Sequence, residues 1–244
     1  MMRWYEGPLA AFGIRTTGAD AEEDRIVSAA LVVQETAGGL TRVSRWLVSP
    51  GVPVPPEATG MPGLTDEHLH RNGRWPAPVM GEIGRSLADQ CATGRPLAVM
   101  DAPFGLTLLD RELKRHRATS LRGCLAGAPL CVLDPRVLDG QLDRYRKGPR
   151  AFADLCEVYG VSGATPEPMP DAAADAVASM EVVRAVGRRF AARLERLAPA
   201  ELHTLQTAWH AAHARGGQAW FPRNGATEAV DAAWPLRPAV PAAA

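Results

Sequence analysis

Along this chain, apolar runs alternate with polar, Gly-rich and Pro-rich breaks, and the spacing inside each run predicts its element. Residues 8 to 14 form a short apolar run, predicted as a strand that ends at Thr16-Thr17-Gly18 and an acidic loop, Asp20 to Asp24. Ile26 to Val33 is almost continuously apolar, as expected of a strand covered on both faces. Gly38-Gly39 predicts a reversal, after which Val43 to Val48 returns as a third strand. The opening is therefore expected to be antiparallel.

The pattern then changes. Ser49 to Pro56 is Pro-rich and extended, and Thr65-Asp66-Glu67-His68 carries the signals of a short helix start. Helical spacing predicts helices over about Val79 to Cys91 and Phe104 to His116, with a strand at Leu97 to Met100 between them. A strand at Leu130 to Leu133 and helices near Pro135 to Tyr145 and Arg150 to Tyr159 follow. Beyond the loop Gly160 to Pro170, a long helix begins near Asp171, with Val177, Met180, Val183, Phe190, Leu194 and Leu197 on one buried face. A last helix, about Pro199 to Arg215, carries Leu202, Leu205 and Trp209, and the Pro/Ala-rich tail from Pro235 to Ala244 is expected to be unordered. Strands and helices alternating after an antiparallel start predict a mixed α/β sheet.

With 244 residues and 46% of them hydrophobic, the chain can bury one substantial core, so one domain with a C-terminal extension is expected. The 27 basic and 27 acidic residues cancel, which excludes attraction to nucleic acid or membrane by a global field; such contact needs a local patch. Cys91, Cys124, Cys131 and Cys156 lack zinc-finger spacing and predict reduced, buried thiols. With no leader-like apolar stretch at the amino terminus and no run of membrane-spanning length, a cytoplasmic location is expected.

The chemistry lies in what three motifs lack. Ala11-Phe12-Gly13-Ile14-Arg15-Thr16-Thr17-Gly18 has the frame of a metal-dependent nuclease motif, F-D-x-E-T-T-G, with Gly13 and Arg15 where the two acids stand. Strand alternation puts positions 13 and 15 on one face, where two carboxylates would share a divalent ion. A guanidinium there repels Mg²⁺ by several kcal/mol even at an effective dielectric of about 20. Asp101-Ala102-Pro103-Phe104-Gly105 matches N-A-x-F-D with Gly105 replacing the acid, and Pro170-Asp171-Ala172-Ala173-Ala174-Asp175 keeps the spacing of H-x-x-x-x-D with Pro170 replacing the His.

From about Leu9 to Trp234 the order of these pieces resembles the DnaQ-like exonuclease family, the DEDDh type related to the epsilon subunit of bacterial DNA polymerase III. The resemblance implies a ribonuclease H-like α/β fold with strand order 3-2-1-4-5, a domain over residues 8–197, and an extension over 198–244 made of a helix and a disordered tail. In that family four carboxylates hold two metal ions that activate water against a 3′-terminal phosphodiester, with a His as general base. Of those five groups this chain keeps Asp175, so the two-metal chemistry is expected to be lost and no cofactor is expected, with Mg²⁺ or Mn²⁺ involved only if residual activity exists.

Several residues carry two readings. Asp101 either caps the helix entering at Phe104 or joins Asp175 in holding one ion. Arg15 either pairs with Asp175 or binds phosphate, both partners suiting a guanidinium. Thr16, Thr17 and Gly18 either approach a terminal nucleotide, as the resemblance implies, or simply turn the chain. Together with Phe104, these form the candidate ligand site.

The run Asp143-Arg144-Tyr145-Arg146-Lys147-Gly148-Pro149-Arg150 is either a solvated loop or a contact for a phosphate backbone, while His203, His210 and His213 lack a visible third ligand and are expected on a surface face. The leading functional expectation is a pseudo-exonuclease that keeps a binding or regulatory role, with a nucleic-acid end, a nucleotide or another small ligand in the old cleft. The alternatives are an active 3′-5′ exonuclease using Asp101, Asp175 and a loop acid, and a protein-interaction scaffold with a vestigial cleft, self-association included.

Overall fold

The computed structural model describes residues 3–55, 64–161, 172–224 and 231–238, and of 217–224 the backbone only. After a single 3₁₀ turn, Trp4–Glu6, come strands β1 (Leu9–Thr16), β2 (Ile26–Gln34) and β3 (Thr41–Leu47). Helices α1 (Asp66–Asn72) and α2 (Pro76–Ala92) lead to β4 (Leu97–Ala98), and α3 (Ala102–Arg117) and α4 (Leu121–Leu125) lead to β5 (Val132–Leu133). The remainder is helical: α5 (Pro135–Leu142), α6 (Phe152–Val158), α7 (Ala172–Arg189), α8 (Ala191–Leu194) and α9 (Pro199–Asn224).

The sheet order is β3-β2-β1-β4-β5, as the resemblance implied. β1 and β2 pair antiparallel from Leu9↔Gln34 onward, β2 and β3 pair antiparallel, and β1, β4 and β5 run parallel. All nine residues of β2 are buried, which is what its unbroken apolar run required of a central strand covered on both faces. The edge strand β3 is mostly polar and partly exposed.

Alternation in β1 sorts the two layers. Ala10, Phe12 and Ile14 face a core of large side chains from α2 and α3, among them Met80, Ile83, Leu87, Leu106 and Leu109. Leu9 and Ala11 face α5 and α7, with Leu138, Met180 and Val183. Near the far end of β1 this second layer thins to alanines, Ala30 against Ala172 and Ala173, so α7 rests almost directly on the strand.

Element ends differ from expectation where local chemistry decides them. Thr65 caps α1 by accepting from the His68 N–H, as its position implied, but α2 starts earlier than predicted, at Pro76, a residue suited to the first turn of a helix. The short helix α4 was not anticipated, although the hydroxyl of Ser120 caps it. The predicted run through Phe190 and Leu194 is broken, because Phe190 leaves helical geometry (φ −108°, ψ 29°) and a separate turn of helix follows. Pro235 to Pro238, assigned in sequence to an unordered tail, instead fold back onto α3. There the Arg237 N–H donates to Thr107 Oγ1 (2.9 Å) and Arg111 donates to the Pro238 carbonyl (2.7 Å). Among the described residues, no helix is long and apolar enough to cross a membrane.

Candidate functional site

The candidate cleft lies at the C-terminal ends of the parallel strands, where β1, β4 and β5 deliver Arg15, Asp101 and Asp134. Arg15 leaves β1 on the α7 side, and the first turns of α7 present Asp175 to it. Arg15 Nε lies 2.7 Å from Asp175 Oδ2 and Arg15 Nη2 donates to Asp175 Oδ1 at 2.9 Å, a two-pronged ion pair. Both side chains are about one quarter exposed, at 27% and 24%. Of the two roles open to Arg15, this structure displays the internal pair.

Gly13 shows how tightly this face is closed. A Cβ built there would lie 2.5 Å from the Ala172 carbonyl oxygen and 3.2 Å from the Ala176 N–H nitrogen, both of them helix backbone. The volume that an acid at position 13 would need is therefore occupied by α7. Gly105 behaves differently: a Cβ there would touch Ile14 at an ordinary 3.7 Å and Val99 at 3.9 Å. Those contacts belong to the α2–α3 face, opposite Gly13 and Arg15.

Asp101 holds the position before α3 but its side chain does not cap it, contrary to the first of its two sequence readings. Its backbone is left-handed (φ 54°, ψ 56°), a conformation Asp tolerates better than most residues, and its side chain makes no cap hydrogen bond. It turns instead to Arg136, whose Nη1 lies 2.8 Å from Asp101 Oδ2. The capping is done by Asp134, which accepts from the Ala102 N–H at 2.9 Å and also caps α5 through the Arg136 N–H. Burial pushes the Asp134 carboxyl up to about 6, and the nearby Asp101 charge adds to that, against the hydrogen bonds it accepts.

The Thr-Thr-Gly turn is held from within. Thr16 Oγ1 donates to the Gly18 carbonyl at 2.6 Å, and Thr17 Oγ1 donates to Asp24 Oδ1 at 2.6 Å while accepting from the Arg25 N–H. Asp24 also fills the space beside Gly18, 2.5 Å from where a Cβ would stand. Phe104 is partly buried and packs against the α2–α3 core. Of the loop acids, Glu22 binds Arg111 through two contacts of 2.7 and 2.8 Å.

Among the described residues, no three His, Cys, Asp or Glu side chains come together as a ligand set. With a guanidinium on Asp175, helix backbone at Gly13 and Arg136 on Asp101, the residues present do not fit the paired ions that the resemblance implies. Pro170 and Asp171 lie outside the described residues.

Several residues of the remaining candidates are engaged in structural contacts. In the Asp143–Arg150 run, Arg146 and Arg150 turn inward to Asp139, at 2.9 and 2.7 Å from its Oδ2, and Tyr159 donates to its Oδ1 at 2.8 Å. Burial is the largest influence on the Asp139 carboxyl and pulls it upward, but hydrogen bonds from Arg146, Tyr159 and Arg150 outweigh it and hold it below the usual carboxylate range. His203 is not a free surface residue: its Nδ1 accepts from the Val132 N–H at 3.0 Å, and burial lowers its basicity. All four cysteines are free; burial pushes the Cys91 and Cys131 thiols up to about 11.

Sequence reasoning missed Asp134, Arg136, Asp139 and Tyr159. Asp134 had a local signal, an Asp immediately before a Pro that opens a helix. Asp139 had none, because its partners stand seven, eleven and twenty residues away.

No family model matches the chain. Over 105 residues, 43% of this chain and 46% of the relative, it is 30% identical to the DNA polymerase III subunit epsilon of Treponema pallidum (strain Nichols). Among solved structures, the exonuclease I of Methylocaldum szegediense superposes with a TM-score of 0.60 at 19% identity, over 76% of this chain and 41% of that one. Escherichia coli exonuclease I in complex with a 5cy-dA13 oligonucleotide gives 0.61 at 15% identity, over 78% and 42%. The chain thus spans less than half the length of these proteins. It is similar over part of its length to a polymerase III epsilon subunit, and it shares the ribonuclease H-like fold of the exonuclease I structures.

Proposed function

We propose that this chain is a pseudo-exonuclease: a DnaQ-like scaffold that no longer hydrolyses and that binds a nucleic-acid end, a nucleotide or a related small ligand in the old cleft. The observation that carries the reading is the two-pronged contact between Arg15 and Asp175. A fixed positive charge takes the place of the ions that would polarise the phosphate and generate hydroxide, and each of those roles is worth several kcal/mol of barrier. The same guanidinium is suited to a phosphate, should a ligand draw it away from Asp175. Structural neighbours solved with single-stranded DNA or an oligonucleotide support a nucleic-acid strand as the occupant.

A rearranged active site finds less support, because its candidate acids are engaged elsewhere: Asp101 by Arg136, Glu22 by Arg111 and Asp24 by the turn. The test is incubation of the purified protein with a 5′-labelled single strand and Mg²⁺ or Mn²⁺. No shortening is expected, while nucleotides or short oligonucleotides should raise the melting temperature. Processive shortening that Asp175→Ala abolishes would overturn the proposal.

A further inference from the structure

We infer that the loop 143–150, with the adjoining end of α7, forms a separate platform for single-stranded nucleic acid, away from the cleft. Tyr145 is 90% exposed, an unusual position for a ring that could otherwise bury its face. Arg144 and Lys147 flank it, both exposed, and neither makes an ion pair among the described residues. Arg189 and Arg193 are exposed alongside: Arg189 Nη2 contacts Asp143 Oδ2 at 3.1 Å and Arg193 donates to the Leu142 carbonyl, which ties their helices to the root of this loop.

The loop is rigid for a reason that has nothing to do with its own sequence propensity. Arg146 and Arg150 reach inward to the fully buried Asp139, Arg150 also donates to the Asp143 carbonyl, and Arg146 donates to that of Pro149. Two of its cations are thus spent on holding the loop, and the Tyr and two further cations project from that base. A ring on a fixed base loses little freedom when a nucleobase stacks on it, and neighbouring cations can meet successive phosphates. A duplex hides its base faces and would leave Tyr145 without a partner. Because the chain's formal charges cancel, this cluster is a local excess rather than a share of a basic surface.

The patch is distinct from the cleft. Asp175 and Arg189 are fourteen residues apart on α7, about 20 Å at helical rise. An intact strand could therefore touch the platform without entering the cleft.

The test is fluorescence polarisation of the full chain with labelled dT20, U20 and a 20-base-pair duplex across a salt series. Expected is tighter binding of either single strand than of the duplex, the tighter of the two identifying DNA or RNA. Tyr145→Ala should weaken binding roughly tenfold with an unchanged melting temperature. Arg144→Ala/Lys147→Ala should lower the slope of log affinity against log salt by about 1.4, which a structural defect would not do. If both variants bind like the parent protein, the platform is refuted even where the parent binds. Loss of binding in Arg15→Ala alone would then place the strand in the cleft, leaving the pseudo-exonuclease reading intact. Absence of single-strand binding, or binding to anionic vesicles in its place, would also overturn the platform.

Discussion

Two arginine–carboxylate sites stand at opposite ends of α7, and they differ in depth. At one end Asp175 meets Arg15 with about a quarter of each side chain in solvent; at the other, Asp139 is wholly buried and gathers Arg146, Arg150 and Tyr159. An exposed pair is screened by water and contributes little, whereas a buried carboxylate stripped of its partners, or partners stripped of it, is costly. The contrast fits the ligand-responsive role proposed for Arg15 and gives Asp139 a structural one, although both look alike as Asp–Arg pairs.

The most severe break should come at Asp139. Asp139→Ala leaves two guanidinium groups and a phenol without their acceptor, and should cost about 3–5 kcal/mol, lowering the melting temperature by roughly 10 °C in a chain of this size. The sign with pH follows from the depressed carboxyl: Asp139 stabilises the fold above the usual carboxylate range, begins to lose that effect as pH falls below about 4, and loses it fully only below its own depressed value. Parent and variant should therefore draw together progressively in acid, as denaturant titrations stepped downward from about pH 7 would show. A variant that melts with the parent at pH 7 would erase the contrast.

Restoring the motif acid probes the other end. Gly13→Asp puts a Cβ where the Ala172 carbonyl stands at 2.5 Å, so α7 must lift from β1. Overpacking against helix backbone should cost on the order of 3 kcal/mol. Thermal melts with and without Mn²⁺ should show a destabilised protein that the ion does not rescue. Rescue by Mn²⁺ would mean that the cleft still accommodates an ion and that the helix is free to yield.

This helix explains what the sequence could and could not tell. Local pattern was enough for β2 and for the Thr65 cap, because an unbroken apolar run and a capping hydroxyl are written in adjacent residues, whereas the strand order came from the resemblance. The Arg15–Asp175 pair was also legible, since the motif frame fixed both positions against one another. The role of Asp101 was not: a left-handed backbone and an arginine thirty-five residues away decided it, while Asp134, thirty-three residues on, took over the cap. The inward turn of Arg146 and Arg150 likewise depends on an acid that only the fold brings near. Side chains that act through distant partners leave no periodic trace.

Asp134 sits between the two extremes, buried like Asp139 but without an arginine side chain on its carboxylate, and its titration should reveal this. Its folded-state carboxyl lies at about 6, above the ordinary value, so its contribution is fully present below about 4 and is lost as pH rises through 6. Asn at this position imitates the protonated acid at every pH. The stability difference between the parent and Asp134→Asn should therefore move by about 2 kcal/mol in favour of the variant between pH 4.5 and 7.5. A difference that stays constant over that span would mean the carboxyl titrates normally despite its burial.

The smallest effect should belong to the pair at the cleft. Arg15→Ala removes a guanidinium that is 27% exposed from a carboxylate that is 24% exposed, so water replaces much of what is lost. The cost should be about 1 kcal/mol or less, and a double-mutant cycle with Asp175→Ala should return a coupling no larger than that. Added salt should shrink it further, since screening reaches a partly exposed pair more than a fully buried one. A small coupling matters functionally, because an incoming phosphate can take Arg15 from Asp175 only if the exchange is nearly balanced. A coupling of several kcal/mol would make this end of α7 as fixed as the other, and Arg15 would then be a structural pin rather than a group that a ligand can recruit.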